Sequence, residues 1–113
     1  LMQPLIGELP HEEFWALYLN SAGRVIHKAQ LSVGGITHTL VDIRLLLKIA
    51  LEQGAVSLIL SHNHPSGSTI PSKEDLQLTQ RVREAGQLLD IRLLDHVIIT
   101  EKQYKSLAEE GLC

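Results

Sequence analysis

The 113-residue chain carries a formal net charge of -3 and a single cysteine, Cys113, at its last position. These figures exclude an intrachain disulfide framework and the broad basic footprint that gives non-specific DNA affinity, and a chain of this length is expected to form one domain around one core. No apolar run approaches the roughly 18–20 residues that span a bilayer and nothing resembles a signal peptide. With no disulfide framework possible within the chain, a reducing cytoplasm is the expected compartment.

Residues 1–10 lack clear periodicity and read as a linker or N-terminal arm, with the domain proper over residues 11–113; a start at Leu1 rather than Met reads as a piece of a longer protein. Phe14 to Asn20 and Arg24 to Leu31 are strand-like runs around Asn20-Ser21-Ala22-Gly23, which predicts a hairpin. Val33-Gly34-Gly35 reads as a flexible connection. Asp42 to Gln53 carries an apolar stripe at Ile43, Leu46, Leu47 and Ala50, the spacing of a helix, with Gly54 as its stop. Ala55 to Leu60 is a continuous apolar run, the pattern of a buried strand. A second amphipathic helix is expected from Lys73 to about Leu89, with Leu76, Thr79, Val82 and Gly86 on one side. Ile91 to Leu94 and Val97 to Thr100 are β-like, and Tyr104 to Glu110 is expected to form a short final helix. Strands and helices interleave, so the class is α/β or α+β, a mixed sheet with helices on both faces.

Chemistry concentrates in Ser61-His62-Asn63-His64-Pro65-Ser66-Gly67 and the Ser72-Lys73-Glu74-Asp75 that follows. In extended backbone, residues two apart share a face with Cα atoms roughly 6.5 Å apart, so His62 and His64 can converge on one ion while Asn63 points the other way. Ser72 is a natural N-cap with Asp75 at N3, the sequence form of a capping box, and capping alone accounts for both residues. A carboxylate held in the first helical turn is also placed to be a third ligand, and Ser72 can offer its hydroxyl to a reacting oxygen. With His-x-His upstream, the metal reading is preferred.

His62-Asn63-His64, seven residues, Ser72, two residues and Asp75 match the spacing of the JAMM motif of MPN-type zinc metallohydrolases. The form His-Asn-His-Pro-Ser-Gly, with Pro71-Ser72 behind it and Leu94-Asp95-His96 further on, resembles the RadC family of bacterial proteins over about Glu12 to Gly111. The resemblance implies an MPN/JAMM-like, cytidine-deaminase-like domain with a central mixed sheet flanked by helices. It also implies His62, His64 and Asp75 as ligands of one Zn2+, and Ser72 as a catalytic residue that stabilises the reacting oxygen. Manganese or iron suits the same ligands. JAMM enzymes that cleave ubiquitin-like conjugates usually have Ser or Thr between the histidines, so Asn63 keeps their substrate from carrying over.

The family takes its general base from an upstream glutamate, here Glu12 or Glu13. Strand alternation groups Glu12 with Phe14, Ala16 and Tyr18, and Glu13 with Trp15, Leu17 and Leu19, so only one faces the metal. The RadC-like alignment of Glu-x-Phe favours Glu12; the alternative is that both are solvated charges.

Other residues have plainer readings. His96 lies in an apolar strand pattern and reads as a hydrogen-bonded structural histidine, while His11, His27 and His38 have no ligand spacing. Trp15 and Tyr18 read as core or sheet residues, and Ser66 and Gly67 as a tight turn. Three functions are carried forward: a zinc hydrolase of peptide or isopeptide bonds, a nucleic-acid-associated module as the RadC link to DNA repair implies, and a metal-binding pseudoenzyme with a protein partner. Lys73, Arg81, Arg83 and Arg92 are interleaved with Glu74, Glu84 and Asp90, which favours a solvated helix face over a DNA patch. RadC-like proteins often carry a helix-hairpin-helix segment before this domain.

Overall fold

The computed structural model describes residues 2–7, 11–34 and 41–113. Its elements run α1 (Gln3–Ile6), β1 (Glu12–Leu19), β2 (Val25–Gly34), α2 (Ile43–Gln53), β3 (Ser57–Asn63), α3 (Lys73–Leu88), β4 (Arg92–Ile99) and β5 (Tyr104–Ser106). Five strands form one sheet in the order β2-β1-β3-β4-β5. The β3 and β4 pair is parallel and the other three are antiparallel. A parallel pair cannot close through a tight turn, and α3 supplies the crossover.

Local chemistry accounts for the punctuation. In the β1–β2 hairpin, the Asn20 side chain accepts from the backbone N–H groups of Ala22 and Arg24, and Gly23 takes φ 77°. Asp42 caps α2 by accepting from Arg44 and Leu45, and Gly54 ends it in the left-handed conformation that glycine tolerates.

Strand alternation divides the core. Phe14, Ala16 and Tyr18 of β1 and Leu58 and Leu60 of β3 pack against Leu46, Leu47 and Ala50 of α2 and Val82 of α3. Met2, Leu17, Leu19 and Ile99 form a smaller cluster on the opposite face. Both long helices therefore cover one face of the sheet; against the other lies the segment containing α1, where Gln3 Nε2 donates to the Thr100 carbonyl. Tyr18 anchors α2 by donating its hydroxyl to the Leu46 carbonyl at 2.8 Å, and burial pushes its phenol up to about 12. At Gly86 a Cβ would lie 2.4 Å from the Ile91 carbonyl oxygen, so α3 approaches the start of β4 too closely for any side chain.

Three expectations change. Val33 and Gly34 belong to β2 rather than to a connection, because a bulge (Phe14 opposite Ser32, Trp15 opposite Gln30) absorbs Leu31 and the ladder resumes to Gly34. Gly35 lies outside the described residues. Residues 104–110 do not form a helix. Thr100 and Gln103 close a turn, and Tyr104, Lys105 and Ser106 pair with Ile99, Ile98 and Val97, so pairing at the sheet edge overrides helical tendency. Finally, β4 is continuous, since Leu94 is bulged out between the pairs Leu58–Leu93 and Ile59–Asp95. That bulge sets His96 beside Leu60, on the face that carries His62.

Candidate metal centre

Strand β3 delivers His62 at its C-terminal end, and His64 follows as the chain leaves the sheet, its N–H still donating to the Ile99 carbonyl. The turn through Pro65 to Ser68, with Gly67 at φ 87°, returns the chain to the start of α3. There the capping box forms in full: Asp75 N–H donates to Ser72 Oγ at 3.0 Å and Ser72 N–H donates to Asp75 Oδ2 at 2.9 Å. The box fixes the Asp75 carboxylate in the first turn, facing both histidines.

Four side chains converge. His62 Nε2 lies 2.9 Å from His64 Nε2 and 3.2 Å from Asp75 Oδ1, and His64 Nε2 lies 3.2 Å from Asp75 Oδ2. Glu12 Oε1 stands further back, 3.8 Å from His62 Nε2. Bonds of 2.0–2.1 Å to one tetrahedral ion would place donor atoms about 3.3 Å apart, so these separations suit a single small cation. Donor chemistry agrees. His64 Nδ1 sits 2.9 Å from the Ser68 carbonyl, which can only accept, so in the neutral ring the hydrogen is on Nδ1 and Nε2 turns a lone pair toward the carboxylates. A proton or a cation must then lie among these acceptors.

Burial pushes the Asp75 carboxyl up, but His62 and His64, whenever a shared proton sits on one of their Nε2 atoms, together with the Ser72 N–H outweigh it and hold the group well below the usual carboxylate range. The hydrogen bond to Asp75 raises His64 above its ordinary value, with burial opposing.

The two candidate glutamates part company. Register pairs Phe14 with His62, which sets Glu12 on the histidine face. Glu13 faces away, its carboxylate 2.8 Å from His11 Nε2 and accepting from Trp15 Nε1 at 3.0 Å. Asn63 also points away from the centre, fully buried, and grips the backbone on both sides of Glu12: its Oδ1 accepts from the Glu13 N–H at 2.6 Å and its Nδ2 donates to the His11 carbonyl at 2.8 Å. Donor and acceptor each have one compatible partner, which settles the amide orientation.

His96 is buried directly behind His62, with Nε2 2.8 Å from His62 Nδ1 and Nδ1 2.6 Å from Thr79 Oγ1. Phe14 stacks on the His62 ring at 5.7 Å and meets His96 edge-on at 5.6 Å. The sequence placed Asn63 pointing away from the histidines and Thr79 on the apolar side of its helix but assigned neither a role; the available signal was a polar residue on each of two otherwise apolar surfaces. His27 packs by Tyr18, and His38 lies outside the described residues. Cys113 is remote, lining a separate cavity with Arg83 and Arg92. Lys73 and Arg81 instead line a cleft of about 710 Å³ with Glu12, Val41, Asp75 and Leu76, so the four basic residues do not make one patch. Among the described residues, no helix is long and apolar enough to cross a membrane.

The family described as the RadC-like JAB domain matches residues 1–112. The chain is 58% identical over 112 residues to a UPF0758 protein of Flavobacterium johnsoniae, covering 99% of this chain and 49% of that protein. It is 47% identical over 112 residues to a UPF0758 protein of Porphyromonas gingivalis, covering 98% and 49%. A Bacillus licheniformis UPF0758 protein is 47% identical over 103 residues, covering 91% and 46%. The chain spans about half the length of these curated relatives.

Proposed function

The chain belongs to the RadC-like JAB domain family, and on that premise we propose that it is a single-ion zinc hydrolase of peptide or isopeptide bonds. One observation carries the reading: His62, His64 and Asp75 close to 2.9–3.2 Å, while the Glu12 carboxylate, in the same group of potential donors, stands further back at 3.8 Å from His62 Nε2, where it can act on a water at the open position. Catalytic zinc differs from structural zinc in having three protein ligands and one open position. His62 Nε2, His64 Nε2 and Asp75 would hold the ion, which when bound polarises a carbonyl and acidifies water. Glu12 takes a proton from the attacking water on its carboxylate and returns it to the departing nitrogen, so the carboxylate is regenerated. Ser72 Oγ accepts from the Asp75 N–H and keeps its own hydrogen, which it donates to the carbonyl oxygen as charge develops there. The cleft that starts at Glu12 and Asp75 and runs along α3 supplies room for an extended substrate.

The test compares Glu12→Gln with Asp75→Asn, each assayed for zinc content and for cleavage of peptide, isopeptide and DNA substrates. Glu12→Gln should keep zinc and lose hydrolysis, and Asp75→Asn should lose both. Cleavage of DNA alone by the wild type would move the protein to the nucleases. Zinc binding with no cleavage of any substrate would leave a metal-holding recognition module.

A further inference from the structure

We propose that His96 and Thr79 are positioning residues that set the tautomer of His62, so that its Nε2 lone pair faces the ligand cluster before any ion arrives. The inference rests on the reading of His62 as a ligand and concerns the groups behind it. Thr79 Oγ1 donates to the Asp75 backbone carbonyl at 2.8 Å. A hydroxyl has one hydrogen, so the 2.6 Å contact between Thr79 Oγ1 and His96 Nδ1 is made by the hydrogen on Nδ1. His96 is fully buried, and its environment disfavours a charged ring. A neutral imidazole has one N–H, which leaves His96 Nε2 an acceptor. His62 Nδ1, 2.8 Å away, must therefore donate, and His62 Nε2 is bare on the side of His64 and Asp75.

The chain of hydrogen bonds starts at the backbone of one ligand residue, Asp75, and ends on the ring of another, His62. It thus ties α3 to β3 through β4. Phe14, stacked on His62 and edge-on to His96, restricts both rings. His64 reaches the same state through the Ser68 carbonyl, so both imidazoles present Nε2 for different local reasons. Reverse polarity, with Thr79 donating to His96, would place a hydrogen on His62 Nε2 and remove its lone pair from the cluster.

Thr79→Val is the informative variant, because it removes the acceptor for His96 Nδ1 without emptying the space between the rings. Thr79→Ser restores the hydroxyl. Imidazole 15N chemical shifts, read on the metal-free protein, report which nitrogen of His62 carries the hydrogen. Zinc affinity by chelator competition reports the consequence. In wild type and Thr79→Ser, His62 should be protonated at Nδ1 and bare at Nε2. Thr79→Val should mix the tautomers and weaken zinc by about 10- to 100-fold, while retaining the dispersed amide spectrum of a folded domain. A neutral His62 ring carrying its hydrogen on Nε2 in metal-free wild type, or unchanged tautomer and zinc affinity in Thr79→Val, would overturn the assignment. Neither readout uses turnover, so a domain that hydrolyses nothing still decides the question.

Discussion

Replacing Asn63 with Leu should separate stability and catalysis from metal binding. The variant has a similar shape but loses both hydrogen bonds that hold the peptide groups flanking Glu12. Orphaning a buried backbone donor or acceptor costs about 1–3 kcal/mol. The Glu13 N–H, at 2.6 Å from a fully buried side chain, falls in that range. The His11 carbonyl, on a half-buried residue, can recover a water, so the sum is about 2–4 kcal/mol. Against a total stability of about 5–15 kcal/mol the domain stays folded, and its urea midpoint should fall by roughly 1–3 M. Metal affinity should stay within about threefold, since Asn63 is not a ligand, whereas turnover should fall at least about tenfold as the Glu12 carboxylate loses its fixed origin. Asn63→Asp should fare no better, because a carboxylate faces the His11 carbonyl where an N–H is needed. A midpoint within 0.3 M of wild type (about 0.5 kcal/mol) would refute the clamp. Loss of metal together with stability would show that Asn63 acts on the ligands rather than on Glu12.

Ser72→Ala should lower stability by about 0.5–2 kcal/mol through the lost cap, measured by urea unfolding, and lower turnover per folded molecule by about 100-fold if the hydroxyl also serves the reacting oxygen. Metal-free stability, followed as urea midpoint against pH in chelator, should peak near pH 6–7. On the acid side, burial first and the charge of His62 second depress His96 to about 3, so its contribution is complete above about 6.5 and disappears as pH falls toward about 3. On the alkaline side, His64 is raised by Asp75, so its contribution is present below about 6.5 and is lost as pH rises through its folded value. Gly86→Ala should cost about 1–3 kcal/mol in thermal or urea unfolding, because the new methyl meets the Ile91 carbonyl rather than a movable side chain.

The meeting of His62, His64 and Asp75 was legible because each step is local: period-two alternation at a strand end, turn residues after Pro65, and a capping box that fixes a first-turn carboxylate. The side of the sheet reached by Glu12 was legible in part, since alternation separates it from Glu13 but cannot say which residue faces His62 on β3. That needs the register of Phe14 opposite His62, a contact across 48 positions of chain. His96 depended on something subtler. Two β-like runs, Ile91 to Leu94 and Val97 to Thr100, on either side of Asp95-His96 do not reveal that a bulge at Leu94 keeps the strand continuous and turns His96 toward His62. Strand β5 was hidden for a related reason: Tyr104 to Glu110 is compatible with a helix until an unpaired strand edge lies beside it. Here the Asp95 side chain secures the pairing by accepting from Ser106 Oγ and the Ala108 N–H.

The central claim is that His62, His64 and Asp75 together hold one ion. Elemental analysis of the folded domain, equilibrated against a weak chelator, tests it directly in wild type, in His62→Ala/His64→Ala and in Asp75→Asn. Wild type should retain about one divalent ion per chain and both variants close to none, since each strips ligands from a three-donor site. Stoichiometric metal in the double histidine variant, or a wild-type domain that holds none, would contradict the account.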